Sequence, residues 1–207
     1  MGVWRATVSA MANRAQQTMN NNAFAVYRGA ATTTLTADGV TFANIAHPLL
    51  SGGTASNYIT GALSALSNAA LNNAIVSLRQ QKDQGGVIMG NVPAVLLVPT
   101  PLFQLATQLT QSVLVGDAST NAINVWRSAM GITVWTSPFL DAVAGGSDIQ
   151  WFLLASTHQV TRVVRQGIQT ALTDWSYSTN RTYKYQANYR EMYKVVDWAG
   201  SVVNSGI

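Results

Sequence analysis

The chain has 207 residues, of which 48% are hydrophobic, only 10% are charged and none is cysteine. That length can bury roughly 70% of the surface its unfolded chain exposes, while the missing thiols exclude disulfides and thiolate metal sites. The formal charge of +4 divides into +3 over residues 1–30, −2 over 31–157 and +3 over 158–207, with no clustered Lys/Arg of the kind a nucleic-acid groove or an anionic membrane surface requires.

From Trp4 the apolar positions Trp4, Val8, Met11, Ala15 and Met19 recur in steps of four, three, four and four, the spacing of one helix face. Arg5 and Arg14 on that helix are about 180° apart and form no basic stripe. The pattern fades at Asn20-Asn21-Asn22, before a short apolar stretch, AFAVY. Residues 29–56 are rich in Gly, Thr, Ser and Ala. Asp38-Gly39 predicts a turn between the extended pieces TTTLT and VTF.

A second helix is expected from Asn57 as N-cap, with Leu63, Leu66, Ala70, Ala74, Ile75 and Leu78 on one face. Arg79 and Lys82 fall in its last turns before Gly85-Gly86, where cations meet the negative end of the helix dipole. The segment VPAVLLVP lacks polar alternation and predicts a strand buried on both faces. Pro99 and Pro101 close it and open a helix that turns Leu102, Leu105, Ala106, Leu109 and Val113 inward. After the loop VGDASTN come three further strand candidates, INVW, ITVW and WFLLA.

The final third changes character. Residues 160–165 predict a short strand with mixed faces. From Thr182 the alternation of Tyr183, Tyr185, Ala187 and Tyr189 against Lys184, Gln186, Asn188 and Arg190 predicts a long, half-buried antiparallel strand. It runs on through YKVVDW into a Gly- and Ser-containing tail. The start of the chain does not read as a signal peptide, and no run reaches the roughly 18 residues that span a bilayer. Asn180-Arg181-Thr182 is a formal glycosylation sequon, read here as a product of an Asn- and Thr-rich sequence.

Reactive groups are sparse. His47 and His158 are 111 positions apart and show no metal-ligand spacing, so each is expected to be a satisfied structural histidine. Glu191 is the single glutamate, and no nucleophile elbow, Walker loop or dinucleotide fingerprint occurs. No catalytic, cofactor-binding or metal site is nominated. Trp126, Trp135 and Trp151 fall at predicted strand ends, where they either pack the core or meet a neighbouring subunit, since large aromatics are enriched in interface cores.

Several segments in order carry a family likeness: DGVTFANIAHP from Asp38 to Pro48, Asn57, Asp83-Gln84 with Gly85-Gly86, LLVPTPLFQLA, Asn121, SPFL, WFLL and the closing VVDWAG. Together they resemble the tailed-phage major capsid proteins of the Hong Kong 97-like fold, in the version found in Mu-like prophage head subunits. The resemblance implies a mixed α/β fold with a spine helix, an axial-domain sheet flanked by helices, and long antiparallel peripheral-domain strands. It assigns residues 1–56 to the peripheral domain, with spine helix and hairpin loop, and 57–157 to the axial domain. Residues 158–190 would return through the peripheral domain and 191–207 to the axial domain. The chain then corresponds to the C-terminal part of such a subunit, beginning inside the spine helix after the N-terminal arm and extended loop.

The implied function is mechanical. Copies would form pentamers and hexamers that close, through head-to-tail contacts, into an icosahedral shell around double-stranded DNA, without sequence-specific binding and without a membrane. Scaffold, portal and maturation protease are the implied partners, the host cytoplasm is the place of assembly and the virion the destination. Candidate subunit contacts are Trp126, Trp135, Trp151 and Asn121. Two other readings stand beside this one: an encapsulin-like nanocompartment that holds cargo protein, and a small hydrolase with a Ser/His/Asp site on His47 or His158.

Overall fold

The computed structural model describes residues 2–114, 123–173 and 184–207. In chain order its elements are helix α1 (Gly2–Arg28), short strands β1 (His47–Pro48), β2 (Thr54–Ala55) and β3 (Tyr58–Ile59), and helix α2 (Asn68–Gln80). Strand β4 (Pro93–Val98), helices α3 (Phe103–Gln111) and α4 (Val125–Ala129), and strands β5 (Thr133–Thr136) and β6 (Trp151–Ala155) follow. The chain closes with β7 (Val160–Thr173), β8 (Lys184–Val195) and β9 (Ser201–Asn204). The fold is mixed helix and sheet.

The centre is a five-stranded mixed sheet in the order β3-β9-β6-β4-β5. β4 runs antiparallel to β6, pairing Leu96 with Leu153, and β6 runs antiparallel to β9, pairing Leu153 with Val202. β5 adds in parallel at one edge and β3 at the other. Alternation along each strand divides its side chains between two cores. Leu96, Val98, Trp151, Leu153 and Val202 face α2 and α3, together with Ala70, Leu71, Ala74, Ile75, Leu78 and Ala106. Leu97, Phe152, Leu154 and Val203 face the C-terminal end of α1, with Val26, Tyr27, Phe42, Leu140 and Trp198. Every residue of β6 is buried, which explains why its sequence is apolar without alternation.

β4, β5 and β6 lie where the sequence predicts them and β8 keeps its alternation, whereas α3 ends at Gln111 and leaves Leu105 and Val113, expected inward, exposed. Ala187, Tyr189, Glu191 and Tyr193 are half-buried, whereas Gln186, Asn188, Arg190, Met192 and Lys194 are exposed. Tyr183 and the sequon Asn180-Arg181-Thr182 fall outside the described residues. β7 is longer than expected, reaching Thr173, and pairs antiparallel with β8 from Val160↔Val195 to Thr173↔Lys184.

Other expectations are corrected. α1 runs through Asn20-Asn21-Asn22 to Arg28. Val26 and Tyr27 are buried beyond the point where the pattern fades, and Phe24 packs against the same core. Burying such side chains is worth about 1.5–3 kcal/mol each, more than the few tenths per residue by which Asn disfavours helix. Arg28 adds a tie: its Nη1 donates to Asn21 Oδ1 (2.9 Å) and to the Phe139 carbonyl (2.7 Å).

The second helix begins at Asn68, not Asn57. Ser67 is its N-cap, its hydroxyl accepting the Ala70 N–H at 3.1 Å. Leu63 is consequently 61% exposed, and Lys82 lies past the helix in a bridge to Ile88. INVW is not a strand, because the Asn124 side chain accepts the Trp126 N–H (3.0 Å) and starts α4 instead. The TTTLT/VTF segment makes one bridge, Leu35↔Thr41, around a turn with Gly39 at φ 83°. Finally, the expected tail contains β9, a fully buried strand between β3 and β6.

Candidate functional site

The three tryptophans nominated for subunit contacts have different fates. Trp151 is fully buried in the core between sheet and α2, and its Nε1 donates to the Ser64 carbonyl at 2.8 Å. Its side chain therefore presents no surface to a neighbour, and it is corrected to a core residue. Trp126 sits on α4 rather than at a strand end, packed partly against the same core, with Nε1 donating to Asn68 Oδ1 (2.7 Å). Trp135 alone of the three is open, 60% exposed on edge strand β5. Asn121 lies outside the described residues.

Trp135 lines a cavity of about 240 Å³ with Phe24 and Tyr27 of α1, Leu97 of β4, Leu154 of β6 and Tyr193 of β8. Its walls come from the long helix, the sheet and the β7–β8 ribbon, so it marks the junction of the three. Two of the lining residues, Arg162 and Tyr193, are tied to Glu191, whose carboxylate is almost entirely enclosed: Arg162 pairs with it at 2.8 Å and the Tyr193 hydroxyl donates to it at 2.9 Å. Partial burial and this bond to a carboxylate hold the Tyr193 phenol above its ordinary range. Burial alone pushes Tyr27 up to about 12. Both phenols are thereby held in the neutral form.

Further apolar side chains are left in solvent. Val143 is 100% exposed, Leu50 89%, Ile123 74% and Ile45 67%. On the ribbon, Val163, Val164 and Met192 are about half exposed or more. Scattered exposed apolar residues are ordinary, but a strand edge and a two-stranded ribbon that both carry them are surfaces suited to partners.

The hydrolase reading can be tested at each histidine. His47 does face a carboxylate, its Nδ1 lying 2.7 Å from Asp38 Oδ2. Its Nε2, however, meets the Asn57 amide oxygen at 3.1 Å, where a triad would place a serine hydroxyl, and the ring is fully buried. His158 Nδ1 is bonded to the Ala155 carbonyl at 2.8 Å, a structural role. Among the described residues, no three His, Asp or Glu side chains gather as metal ligands, and no helix is long and apolar enough to cross a membrane.

With edge strand, ribbon and buried histidine in place, comparison with known proteins decides the family. A family model described as phage capsid protein matches residues 1–204. The chain belongs to that family. No curated protein matches it. As a phage capsid protein it is a structural component of a virus particle, in a family whose members assemble into the shell.

In this capsid protein, sequence reasoning nominated Trp135 but missed the partners that build the cavity around it. Phe24 and Tyr27 lay beyond the Asn run thought to end the helix, and Leu97 looked like any core position in β4. A signal existed for Tyr193, since it continues the alternation of β8. Asn57 is not a helix cap; its amide instead ties Phe42, Asn44 and His47 of the preceding stretch together.

Proposed function

We propose that this capsid protein is the major head subunit of a tailed phage or prophage, with a Hong Kong 97-like fold of the Mu-like type. On this reading α1 is the latter part of the spine helix, residues 57–157 form the axial domain, and residues 158–190, with β7 and the first part of β8, belong with residues 1–56 to the peripheral domain. Strand β9 brings residues 191–207 back to the axial sheet. Pentamers and hexamers of the subunit close into an icosahedral shell that encloses double-stranded DNA without sequence-specific binding. Scaffold, portal and maturation protease act on the assembling shell in the host cytoplasm.

The observation that carries the reading is the combination of α1, 27 residues long and without a buried residue over 9–18, with a ribbon whose strand β7 is exposed along most of its length. Elements that leave so much surface outside the core of their own chain are stabilised by neighbours. Trp135 and the cavity beside it are the proposed contact surface, with Trp126 on α4 a second candidate on the other side of the sheet. The mechanism is positional and uses no catalytic group.

The test is density-gradient fractionation of nuclease-treated producing cells, with mass spectrometry following peptides of this chain. Recovery in particles that protect DNA is the expected result. Particles that hold protein and no DNA would instead identify a nanocompartment shell, and recovery only as soluble monomer would refute the shell reading.

A further inference from the structure

His47 is fully buried, and the hydrogen-bond directions around it leave no freedom in where its protons lie. Two backbone groups fix the Asn57 amide: Nδ2 donates to the Phe42 carbonyl (2.7 Å) and Oδ1 accepts the Asn44 N–H (3.0 Å). The atom facing His47 Nε2 is therefore an acceptor, and Nε2 must carry a hydrogen. On the other side of the ring, Asp38 accepts from the Thr36 hydroxyl and from the Val40 N–H (3.2 Å) through Oδ1, while Oδ2 faces Nδ1 at 2.7 Å. With these two donors fixed on Oδ1, the carboxylate is held ionised. Although burial by itself would raise Asp38, these hydrogen bonds and the ring beside it hold it below the usual range. Nδ1 must then carry a hydrogen as well, and a ring protonated on both nitrogens is an imidazolium. Its face lies against Trp198, with ring centroids 4.5 Å apart and planes 13° from parallel, a placement that favours a cation.

We propose that His47 is kept as a buried imidazolium that clasps the segment 36–57 to the central sheet, and that loss of its proton opens the clasp. Three stretches of chain meet there. Asp38 belongs to the turn at 36–41, Asn57 binds β9 by accepting the Val203 N–H at 2.8 Å, and Trp198 leads into β9. On the segments 36–57 and 196–204 the remaining titratable side chain is Asp197, which is engaged by the Ala199 N–H. Once the ring is neutral, one of its nitrogens turns a lone pair toward an acceptor, either Asp38 Oδ2 or Asn57 Oδ1. An unmatched acceptor pair in a buried site is costly. The clasp thus loosens as pH rises through the titration of the ring, and also at acid pH when Asp38 is protonated.

The deciding experiment is nitrogen-15 NMR of the ring nitrogens in the labelled full chain, followed with pH, with His158 in the same spectrum for reference. At neutral pH His47 should show two protonated ring nitrogens. Above its titration, amide protection over Phe42–Asn57 and at Val203, corrected for the intrinsic rise of exchange with pH, should fall about tenfold or more, while β6 amides hold. In Asp38→Asn the ring should show a single protonated nitrogen at neutral pH; if that variant does not fold, the wild-type spectrum decides alone. A single protonated nitrogen in the wild type, or protection over 42–57 that ignores the titration of His47, would overturn the proposal.

Discussion

Residues of the same type do different work here, and burial decides which. Trp151 fills the core and satisfies the Ser64 carbonyl, so Trp151→Ala removes a large apolar body and leaves an acceptor unpaired. It is expected to cost about 3–5 kcal/mol, read from the urea midpoint of the dissociated subunit. Tyr27 supplies a pH signature. Its phenol is raised from 10.0 to about 12 by burial, so the folded chain prefers the neutral form. The stability this represents is fully present below pH 10 and is lost as pH climbs toward about 12. Tyr27→Phe should flatten that alkaline loss in a thermal-melt series. Asp38 acts at the other end: its carboxyl is lowered from 3.8, so its contribution is present above that value and disappears as pH falls through the lowered one. Neither effect was legible in the sequence, because it depends on which neighbours the fold brings to the group.

Elements were legible where one signal dominated. β4 and β6 announced themselves as apolar runs without alternation, β8 by its period of two, and α3 by the prolines before it. The misreadings share a cause, in that a local cue was outweighed or mimicked. Asn20-Asn21-Asn22 looked like an ending, but Phe24, Val26 and Tyr27 bind the helix to the core. INVW has strand composition, yet the Asn124 side chain caps a helix. SVVN was too short and too close to Gly and Ser to stand out, although it is the strand between β3 and β6. The cap that does start α2 can be measured: Ser67→Ala leaves the Ala70 N–H without its partner and is expected to cost about 1 kcal/mol. Entry into β9 is equally specific. Gly200 has φ +81° and lies where a Cβ would meet the His158 backbone at 3.1 Å, while its N–H donates to Gln81 Oε1 (2.8 Å). Gly200→Ala should lower stability by about 1–3 kcal/mol from left-handed strain and crowding together, visible as a lower melting temperature with unchanged secondary structure.

For the molecule as a whole, the contrast between a closed core and open extensions separates what folding needs from what assembly uses. Trp135 tests that separation. It is 60% exposed at the free edge of the sheet, so a charge there disturbs little within one chain. Trp135→Glu should leave the unfolding free energy of the isolated subunit within about 0.5 kcal/mol, as for surface substitutions generally. In a shell, the same carboxylate would be placed against an apolar neighbour, and each of many equivalent contacts would carry the cost of an unpaired buried charge. Because every copy would repeat the defect, a penalty that a single contact could survive would be multiplied over the shell. Sedimentation should therefore show folded subunits with at least a tenfold loss of particles. Trp135→Phe, which keeps the aromatic surface, should recover most of them. Normal particle yield from Trp135→Glu would move the contact away from β5, and an equal loss of subunit stability would make Trp135 a folding residue.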